Sequence, residues 1–455
     1  MFPQQSFRKV EENNMGIRFV EKKQLSAKGM LQKVRSIFAK IPEPPKDTRG
    51  LKSKIPFVDC LMSGLAMFGL KFPSLLQFDQ SADDGPTKHN LKTLYQVERI
   101  PSDTYMRERL DKLDPQLLRP AFTGLFSLIQ RGKVIEDYKF LGEYVLMPCD
   151  GTLLFSSDKV HCKNCCEKHH KDGRVTYHHN MLAGVLVHPD QKEVFPFCPE
   201  PIFKADGATK NDCEQNATRR FLEHFHKEHP RLKVIFTMDA LSSKAPYIRP
   251  IIEMGAHFII GVTPDGNSSL FQWLKGIKLE SITIKTKKEI LELQFYNGIP
   301  LNDSNHDLQV NFIDCIVKDL KGKIKGHFSW ITDIPVTKKN VHELSRAGRA
   351  RWKVENETFN TLKNQGYNFE HNYGHGNQHL SHVFGMLMFL AFFIDQVQQR
   401  CCGLFQAAVE KAGSRARFWR RQESIFVELY ITSWEDLFLW MVDRRQEGVT
   451  IFDTS

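Results

Sequence analysis

The sequence predicts a mixed α/β fold with helical regions before and after it. Three patterns predict this fold. Between residues 141 and 265, short apolar runs and helical segments follow one another in the order βββαβαβ, which is typical of a sheet covered by helices. Residues 58–140 and much of 340–443 carry apolar residues at helical spacing. Residues 266–335 consist of strand-like runs joined by Asn, Gly and Asp turns, so we expect a separate all-β insertion there.

The N-terminal residues 1–57 are basic, with thirteen Lys or Arg and five Asp or Glu. They form either a solvated leader or an arm that contacts phosphates. Residues 58–140 then predict helices: FVDCLMSGLAMFGL has helical periodicity, Ser102 and its neighbours can cap YMRERLDKL, and Pro115 opens another helix. An all-helical basic unit suits DNA docking, and a plain helical bundle explains the pattern equally well.

The α/β segment places two aspartates at the ends of predicted strands. The run YVLMPC ends at Asp150, and LKVIFTM ends at Asp239. Between them we predict a helix from Thr209, its cap, to His229. Open α/β sheets carry their sites at the carboxyl ends of strands. Each aspartate alone reads as a turn or helix cap, but two in one sheet indicate a site.

A third carboxylate lies on a predicted helix at residues 351–363. Arg351 and Glu355 are four residues apart and therefore share one face. Phe359 and Leu362 continue that face, which makes it the packed side. We therefore expect Glu355 to point toward the sheet, although a surface ion pair would give the same spacing. Three converging carboxylates suit two Mg²⁺ ions, with Mn²⁺ as an expected substitute, for chemistry on phosphodiesters.

The charge and composition fit a DNA-binding protein. The 455 residues include 63 Lys or Arg and 53 Asp or Glu, a net charge of +10, which favours an anionic partner. The longest apolar run, Val383–Ile394, is too short for a bilayer span of about 20 residues and suits a buried helix. The N-terminus is too polar for a signal peptide. We expect a cytosolic protein with no membrane partner, whose ten cysteines are thiols or metal ligands.

The spacing Asp150…Asp239…Glu355, with the R-W-x-x-E helix after a β-rich segment, resembles the DDE transposases of bacterial insertion sequences. The resemblance extends over residues 60–400 and includes the stretches RIPSDTYMRERLD, CDGTLLFSS, RARWKVENETFNTLKNQGYNFEHNYGHG and HLSHVFGMLMFLAFFIDQ. It implies a ribonuclease H-like catalytic domain with a β-stranded insertion, and a cytosolic or nucleoid location in a bacterium. It also implies DNA strand cleavage and strand transfer with Mg²⁺ as the working metal.

Residue by residue, the resemblance implies that Asp150, Asp239 and Glu355 are the three catalytic acids. Arg351 matches the arginine of the family's tyrosine–arginine–glutamate–lysine signature and would contact DNA. The signature's tyrosine position holds Gly348, and its lysine position falls on Leu362, with Lys363 one residue later as a further DNA contact.

These inferences divide the chain into six segments. They are a basic arm (1–57), a helical DNA-binding domain (58–140), a ribonuclease H-like domain (141–265 and 336–400), a β-rich insertion (266–335) and a C-terminal helical region (401–455).

A cysteine–histidine cluster follows the first acid, in the sequence HCKNCCEKHHKDGRVTYHH at residues 161–179. Cys162 and Cys165 have the spacing of zinc ligands, and zinc takes four nitrogen or sulfur ligands. With no second CxxC pair, two interpretations stay open. One is a structural zinc that pins this hairpin, and the other is a polar loop with unliganded thiols.

Two basic and aromatic segments also allow two interpretations each. Residues 411–421 interleave five basic residues with Phe418 and Trp419, which suits either DNA contact with stacking or a solvated turn. In the insertion, Trp330 is either a core residue or a platform for a flipped base.

The function that the sequence favours is transposition by two-metal-ion catalysis. Asp150 would bridge both ions, and Asp239 and Glu355 would each hold one. The expected partners are transposon ends and target DNA, bound by a homodimer on paired ends. The alternatives are a stand-alone nuclease on the same fold and a catalytically silent, domesticated DNA-binding protein.

Overall fold

The structure is a computed structural model that describes residues 22–44, 55–207 and 210–442. Within these residues the strands are β1 (Lys139–Phe140), β2 (Tyr144–Ser157), β3 (Cys166–His169), β4 (Val175–Leu186), β5 (Phe195–Pro196), β6 (Glu200–Ile202), β7 (Val234–Met238), β8 (His257–Gly261), β9 (Glu280–Lys285), β10 (Ile290–Pro300), β11 (Gln309–Lys318) and β12 (Ile324–Thr332).

The helices of the same residues are α1 (Ala27–Phe38), α2 (Phe57–Gly69), α3 (Leu75–Ser81), α4 (Gly85–Tyr95), α5 (Asp103–Asp111), α6 (Arg119–Arg131), α7 (Lys210–Glu228), α8 (Ala245–Glu253), α9 (Ser268–Leu274), α10 (Val341–Ala350), α11 (Asn360–Asn364), α12 (Leu380–Cys401), α13 (Gly403–Ala412), α14 (Arg415–Glu428) and α15 (Trp434–Val442). Residues 1–21 and 45–54 of the predicted basic arm, the predicted cap Thr209 and residues 443–455 lie outside the described residues.

One mixed sheet organises the described chain, in the order β3-β4-β2-β7-β8-β12-β11-β10-β9. Strands β2, β7 and β8 are parallel neighbours, and the other neighbouring pairs are antiparallel. All five residues of β7 are buried, as expected for a central parallel strand covered on both faces. The predicted mixed α/β fold is confirmed.

Helices cover both faces of this sheet at β4. Gly184 of β4 lies under α7, where a Cβ atom would come within 2.3 Å of the Phe221 ring. Three residues earlier, the Met181 sulfur lies against α12, 2.8 Å from where a Cβ atom of Gly385 would be. Side chains of a strand alternate between its faces, so residues an odd number apart face opposite ways. Helices α7 and α12 therefore pack on opposite faces of the strand that is paired with β2.

The segment 266–335 forms an antiparallel set of strands, β9 to β12, but it differs from the prediction in two respects. It begins with a helix, α9, in which Leu270 and Leu274 are buried at helical spacing. It is also not separate from the central sheet, because β12 pairs with β8 from Trp330↔Gly261 to Thr332↔Ile259. The last three residues of β12, Trp330 to Thr332, are buried, so this end of the strand is part of the core of the central sheet.

The predicted core helix around Val383–Ile394 is α12, which runs from Leu380 to Cys401. It is long and apolar enough to meet the length and composition of a membrane span, but it is buried inside the protein. It packs on α2, α5 and α6, which belong to the predicted DNA-binding domain. The N-terminal helices are therefore one packed body with α12.

The segment 27–38, which the prediction placed in the basic arm, is a packed helix and not a solvated leader. Helix α1 is capped by Ser26 and buries Met30, Val34 and Phe38 against the core. Its basic residues lie between these buried positions. The count of basic residues over the whole arm therefore does not show the helical spacing of the apolar ones. Complete burial of a side chain such as Phe38 contributes about 1.5–3 kcal/mol.

Candidate active site

The first acid, Asp150, lies in the middle of a strand and not at its end. Strand β2 pairs with β7 as far as Pro148↔Thr237 and then continues with β4, where Asp150 lies opposite Ala183. The prediction that the strand ends at Asp150 was wrong, because Asp-Gly-Thr resembles a turn but is held extended by β4. Asp150 is nevertheless the second residue beyond the last pair with β7, at the carboxyl edge of the parallel part of the sheet.

The second acid, Asp239, directly follows β7, as predicted. Its Oδ1 accepts hydrogen bonds from the Leu241 amide at 3.1 Å and the Ser242 hydroxyl at 3.3 Å, so it also caps the turn that follows. Since Pro148 pairs with Thr237, continuing the register by two residues brings Asp150 and Asp239 to neighbouring positions on adjacent strands. Adjacent strands lie about 4.8 Å apart, so the sheet itself brings these two carboxylates together.

The third acid, Glu355, joins them through Arg351. The Arg351 Nη2 atom lies 2.7 Å from Glu355 Oε1, and its Nη1 atom lies 3.2 Å from Asp150 Oδ2. Burial raises the pKa of Asp150 to about 7, the Arg351 guanidinium opposes that rise, and the Asp239 and Glu355 carboxylates add to it. The three predicted acids therefore interact electrostatically around one point, with Arg351 beside them.

The helix that carries Glu355 is not a regular α-helix. A π-helical turn, Val354–Phe359, separates α10 from α11. Such turns are rare and occur often at functional sites. The predicted pairing of Arg351 with Glu355 is present, and Phe359 and Leu362 are buried as expected. The Glu357 carboxylate, two residues after Glu355, interacts electrostatically with Lys353 instead. Burial lowers the pKa of Lys353, and the negative charge of Glu357 raises it.

A groove of about 820 Å³ adjoins Asp239 and Arg351. Its lining is rich in cations, which are Lys288, Arg346, Arg349, Arg351 and Lys353. Three of these are paired with acids: Arg346 with Asp190 at 2.6 Å, Arg349 with Glu289 at 2.6 Å, and Arg351 with Asp150 and Glu355. These five cations outnumber the three acids of the lining, which are Asp190, Asp239 and Glu289, so the groove next to the candidate site has a net positive charge.

A family model matches the part of the chain that carries most of this arrangement. Residues 164–394, just over half of the chain, match the family model described as "Transposase DDE domain". The chain belongs to the transposase DDE-domain family. The matched residues include Asp239, Arg351 and Glu355, and Asp150 precedes them.

No curated protein matches the transposase. Among solved structures it is similar to one described as the cryo-EM structure of the piggyBac transposase synaptic complex with hairpin DNA, at 10% identity and a TM-score of 0.39. That likeness covers 90% of this chain and 78% of the other.

Gly348, at the signature's tyrosine position in the transposase, lies under Trp330. A Cβ atom on Gly348 would lie 2.4 Å from Trp330 Cε2 and 2.5 Å from Nε1. The indole is 5% exposed and stacks on Phe328, with ring centroids 5.8 Å apart. Trp330 is thus a core residue in this structure, and its ring occupies the space that a side chain at position 348 would need.

Several residues that were predicted to contact DNA have partners inside the transposase. Lys363 pairs with Glu370 at 2.7 Å. Phe418 and Trp419 are buried, and the Lys71 amine lies 3.9 Å from the centre of the Trp419 ring. The two aromatics of residues 411–421 are therefore core residues, which leaves the charged side chains of that segment as the surface for any DNA contact.

The cysteine–histidine cluster gathers four donor atoms. Cys162 Sγ, Cys165 Sγ, His179 Nε2 and His375 Nε2 all lie within 4.8 Å of one another. Three of these donors lie in the segment 161–179, in which the sequence predicted Cys162 and Cys165 as ligands, but His375 was not predicted. That residue lies 210 positions after Cys165, so no local spacing could reveal it. Cys166, which the sequence also placed nearby, turns its sulfur toward the Ile202 carbonyl.

Proposed function

We propose that this transposase cuts phosphodiester bonds at the ends of a bacterial insertion sequence and transfers the resulting 3′-hydroxyl ends into target DNA. Water attacks first and releases the 3′-hydroxyl, which then attacks a phosphodiester of the target. The observation that carries this proposal is the convergence of Asp150, Asp239 and Glu355 around Arg351 in a chain of the DDE family.

The donor set fits two Mg²⁺ ions. Asp150 and Asp239 stand on adjacent strands, and Glu355 is joined to Asp150 through one guanidinium, so three carboxylates offer hard oxygen donors around one point. Asp150, Asp239 and Glu355 would hold the ions. When bound, such ions activate the attacking oxygen and stabilise the leaving oxygen of an in-line displacement.

Arg351 would position the scissile phosphate. It is held by two carboxylates that metal binding would occupy, and its planar guanidinium matches a phosphate's oxygens. In the absence of DNA it holds Asp150 and Glu355 together. In the complex its donors would turn to phosphate.

The groove lined by Lys288, Arg349 and Lys353 would carry the DNA backbone toward the acids. Lys363 would add a contact only after exchanging its Glu370 partner for a phosphate. Cleavage at two ends requires two sets of acids, so we propose a homodimer on paired ends.

The test supplies the full chain with Mg²⁺, a labelled duplex that carries the element's terminal repeat, and a target plasmid. Cut ends joined to the plasmid support the transposase. Cleavage without joining, under conditions where pre-cut ends are also not joined, would favour a stand-alone nuclease. Binding of the repeat without cleavage would favour a silent DNA-binding protein.

A further inference from the structure

We propose that Cys162, Cys165, His179 and His375 bind one structural zinc ion, which ties β4 and the connection between β2 and β3 to the loop between α11 and α12. The proposal rests on the geometry of the four donors and on the chain segments that carry them. It does not depend on the proposed reaction, because zinc content is measured apart from DNA cleavage.

Four of the six distances between the donor atoms are close to the edges of a zinc-centred tetrahedron, and all six lie within 4.8 Å. With zinc–sulfur bonds of about 2.3 Å and zinc–nitrogen bonds of about 2.05 Å, a tetrahedron has a sulfur–sulfur edge of about 3.8 Å and sulfur–nitrogen edges of about 3.5 Å. Cys162 Sγ and Cys165 Sγ are 3.8 Å apart. His179 Nε2 lies 3.5 Å from Cys162 Sγ and 3.4 Å from Cys165 Sγ, and His375 Nε2 lies 3.2 Å from Cys165 Sγ.

The His375 ring is held in the orientation that a metal ligand needs. Its Nδ1 atom lies 2.8 Å from the Gly376 carbonyl, to which it donates. In the neutral ring this hydrogen bond places the proton on Nδ1, so the lone pair is on Nε2, which lies 3.2 Å from the Cys165 sulfur. Ligating histidines commonly donate their second nitrogen to a carbonyl in this way.

The site is closed, which indicates a structural role. Cys165 and His179 are each 1% exposed and His375 is 8% exposed, and four protein donors leave no position for a substrate. The His375 ring packs against Phe155, which lies five residues beyond Asp150 on β2. At about 3.3 Å per residue the site is roughly 16 Å from Asp150, too far to share an ion with the acids.

The four ligands join three separate parts of the chain. Cys162 and Cys165 lie between β2 and β3, His179 lies on β4, and His375 lies in the loop between α11 and α12. That loop is held nearby by Asn164, whose side chain donates to the Gln378 carbonyl at 2.8 Å. Bound zinc would therefore attach the loop after α11 to the hairpin of β2 and β4. Asp150 lies on β2 of that hairpin, and Glu355 lies just before α11.

A redox CxxC pair is the competing interpretation. The Cys162 and Cys165 sulfurs are 3.8 Å apart, against about 2.05 Å in a disulfide, so both are free thiols here, as zinc ligation and the reduced form of a redox pair both require. A redox pair does not, however, require two imidazole nitrogens that converge on the same sulfur.

The first measurement is the zinc content of the full-length wild-type protein, purified without chelator. We expect one zinc per chain. Replacement of zinc by Co²⁺ should give the visible absorption bands of a tetrahedral site and a sulfur-to-cobalt charge-transfer band. Both readouts use the wild-type protein, so they do not depend on whether a variant folds.

The second measurement compares ligand variants with neighbours. Cys162→Ser and His375→Asn should lose zinc, and protease should then cleave the loop 365–379 at least tenfold faster. Cys166→Ser, next to a ligand, and His169→Asn, an exposed histidine of the same cluster, should keep one zinc. Wild-type protein that is folded but free of zinc, a Cys162–Cys165 disulfide found by mass spectrometry, or equal loss of zinc in the controls would overturn the proposal.

Discussion

The Arg351 guanidinium lies 3.2 Å from the carboxylate of Asp150, a residue 201 positions earlier in the chain. The same side chain holds Glu355 at 2.7 Å, so one cation connects the first and third acids of the candidate site. Because Arg351 is only 17% exposed, this connection is partly shielded from water. The guanidinium charge reduces the repulsion between the Asp150 and Glu355 carboxylates.

Arg351→Gln should destabilise the metal-free protein by about 1–2 kcal/mol, since the acids then repel one another without a nearby cation. The variant should gain more thermal stability from added Mg²⁺ than the wild type gains. Thermal unfolding with and without Mg²⁺ measures both effects. Arg349→Gln, which removes a pair with Glu289 away from the acids, is the matched control and should leave the Mg²⁺ effect unchanged. An equal Mg²⁺ effect in Arg351→Gln and wild type would contradict this account of Arg351.

Glu355 and Glu357 should differ sharply in their effect on cleavage. Glu355→Gln should reduce Mg²⁺-dependent strand cleavage by about 10³-fold or more, because that carboxylate faces Asp150 through Arg351. Glu357→Gln should cut at close to the wild-type rate, because the Glu357 carboxylate interacts with Lys353 and not with the three acids. A single-turnover nicking assay on end DNA distinguishes them. If Glu357→Gln were inactive and Glu355→Gln active, the placement of the π-helical turn would be wrong.

Gly348→Ala should destabilise the fold by about 1–3 kcal/mol, because the new Cβ atom would lie 2.4 Å from the Trp330 ring. This is the net effect, after the gain of roughly 1 kcal/mol in helix propensity that alanine brings relative to glycine. In a Trp330→Ala background the same substitution should become neutral or stabilising. Urea unfolding of the two single variants and the double variant gives the coupling, and additive effects would show that the two residues do not compete for space.

Lys71→Met should cost about 3–5 kcal/mol, because it leaves the Asp395 carboxylate buried without its cation. Lys71 Nζ lies 2.7 Å from Asp395 Oδ2, and the two side chains are 3% and 9% exposed. The double variant Lys71→Met with Asp395→Asn should recover most of the loss, since no charge remains buried. Equilibrium urea unfolding tests this, and a loss below about 1 kcal/mol in the single variant would mean that the pair does not hold the N-terminal helices to α12.

The sequence predicts the parts of this fold that local patterns determine. The buried run before Asp239 has the length and composition of a central strand. The apolar run Val383–Ile394 predicts a buried helix, although the whole of α12 also has the length and composition of a membrane span. The pairing of Arg351 with Glu355 follows from helical spacing alone. These features need no knowledge of distant contacts.

The missed features depend on contacts across the chain. Asp150 lies inside a strand because β4 holds Asp-Gly-Thr extended, and no local signal reveals this. The π-helical turn at Glu355 has no recognisable spacing. His375 joins the cysteine cluster only in three dimensions, and the clash that keeps position 348 a glycine comes from Trp330 on a distant strand.

The most direct test of the central claim is Mg²⁺-dependent strand cleavage by Asp150→Asn, Asp239→Asn and Glu355→Gln, with binding of the terminal repeat measured on the same preparations. Each substitution keeps the side chain's size and an oxygen acceptor, and an asparagine in place of Asp239 can still cap the turn after β7. We expect all three variants to bind the repeat with wild-type affinity and to show no cleavage above background. Wild-type cleavage by any one of them would show that its carboxylate is not part of the catalytic site.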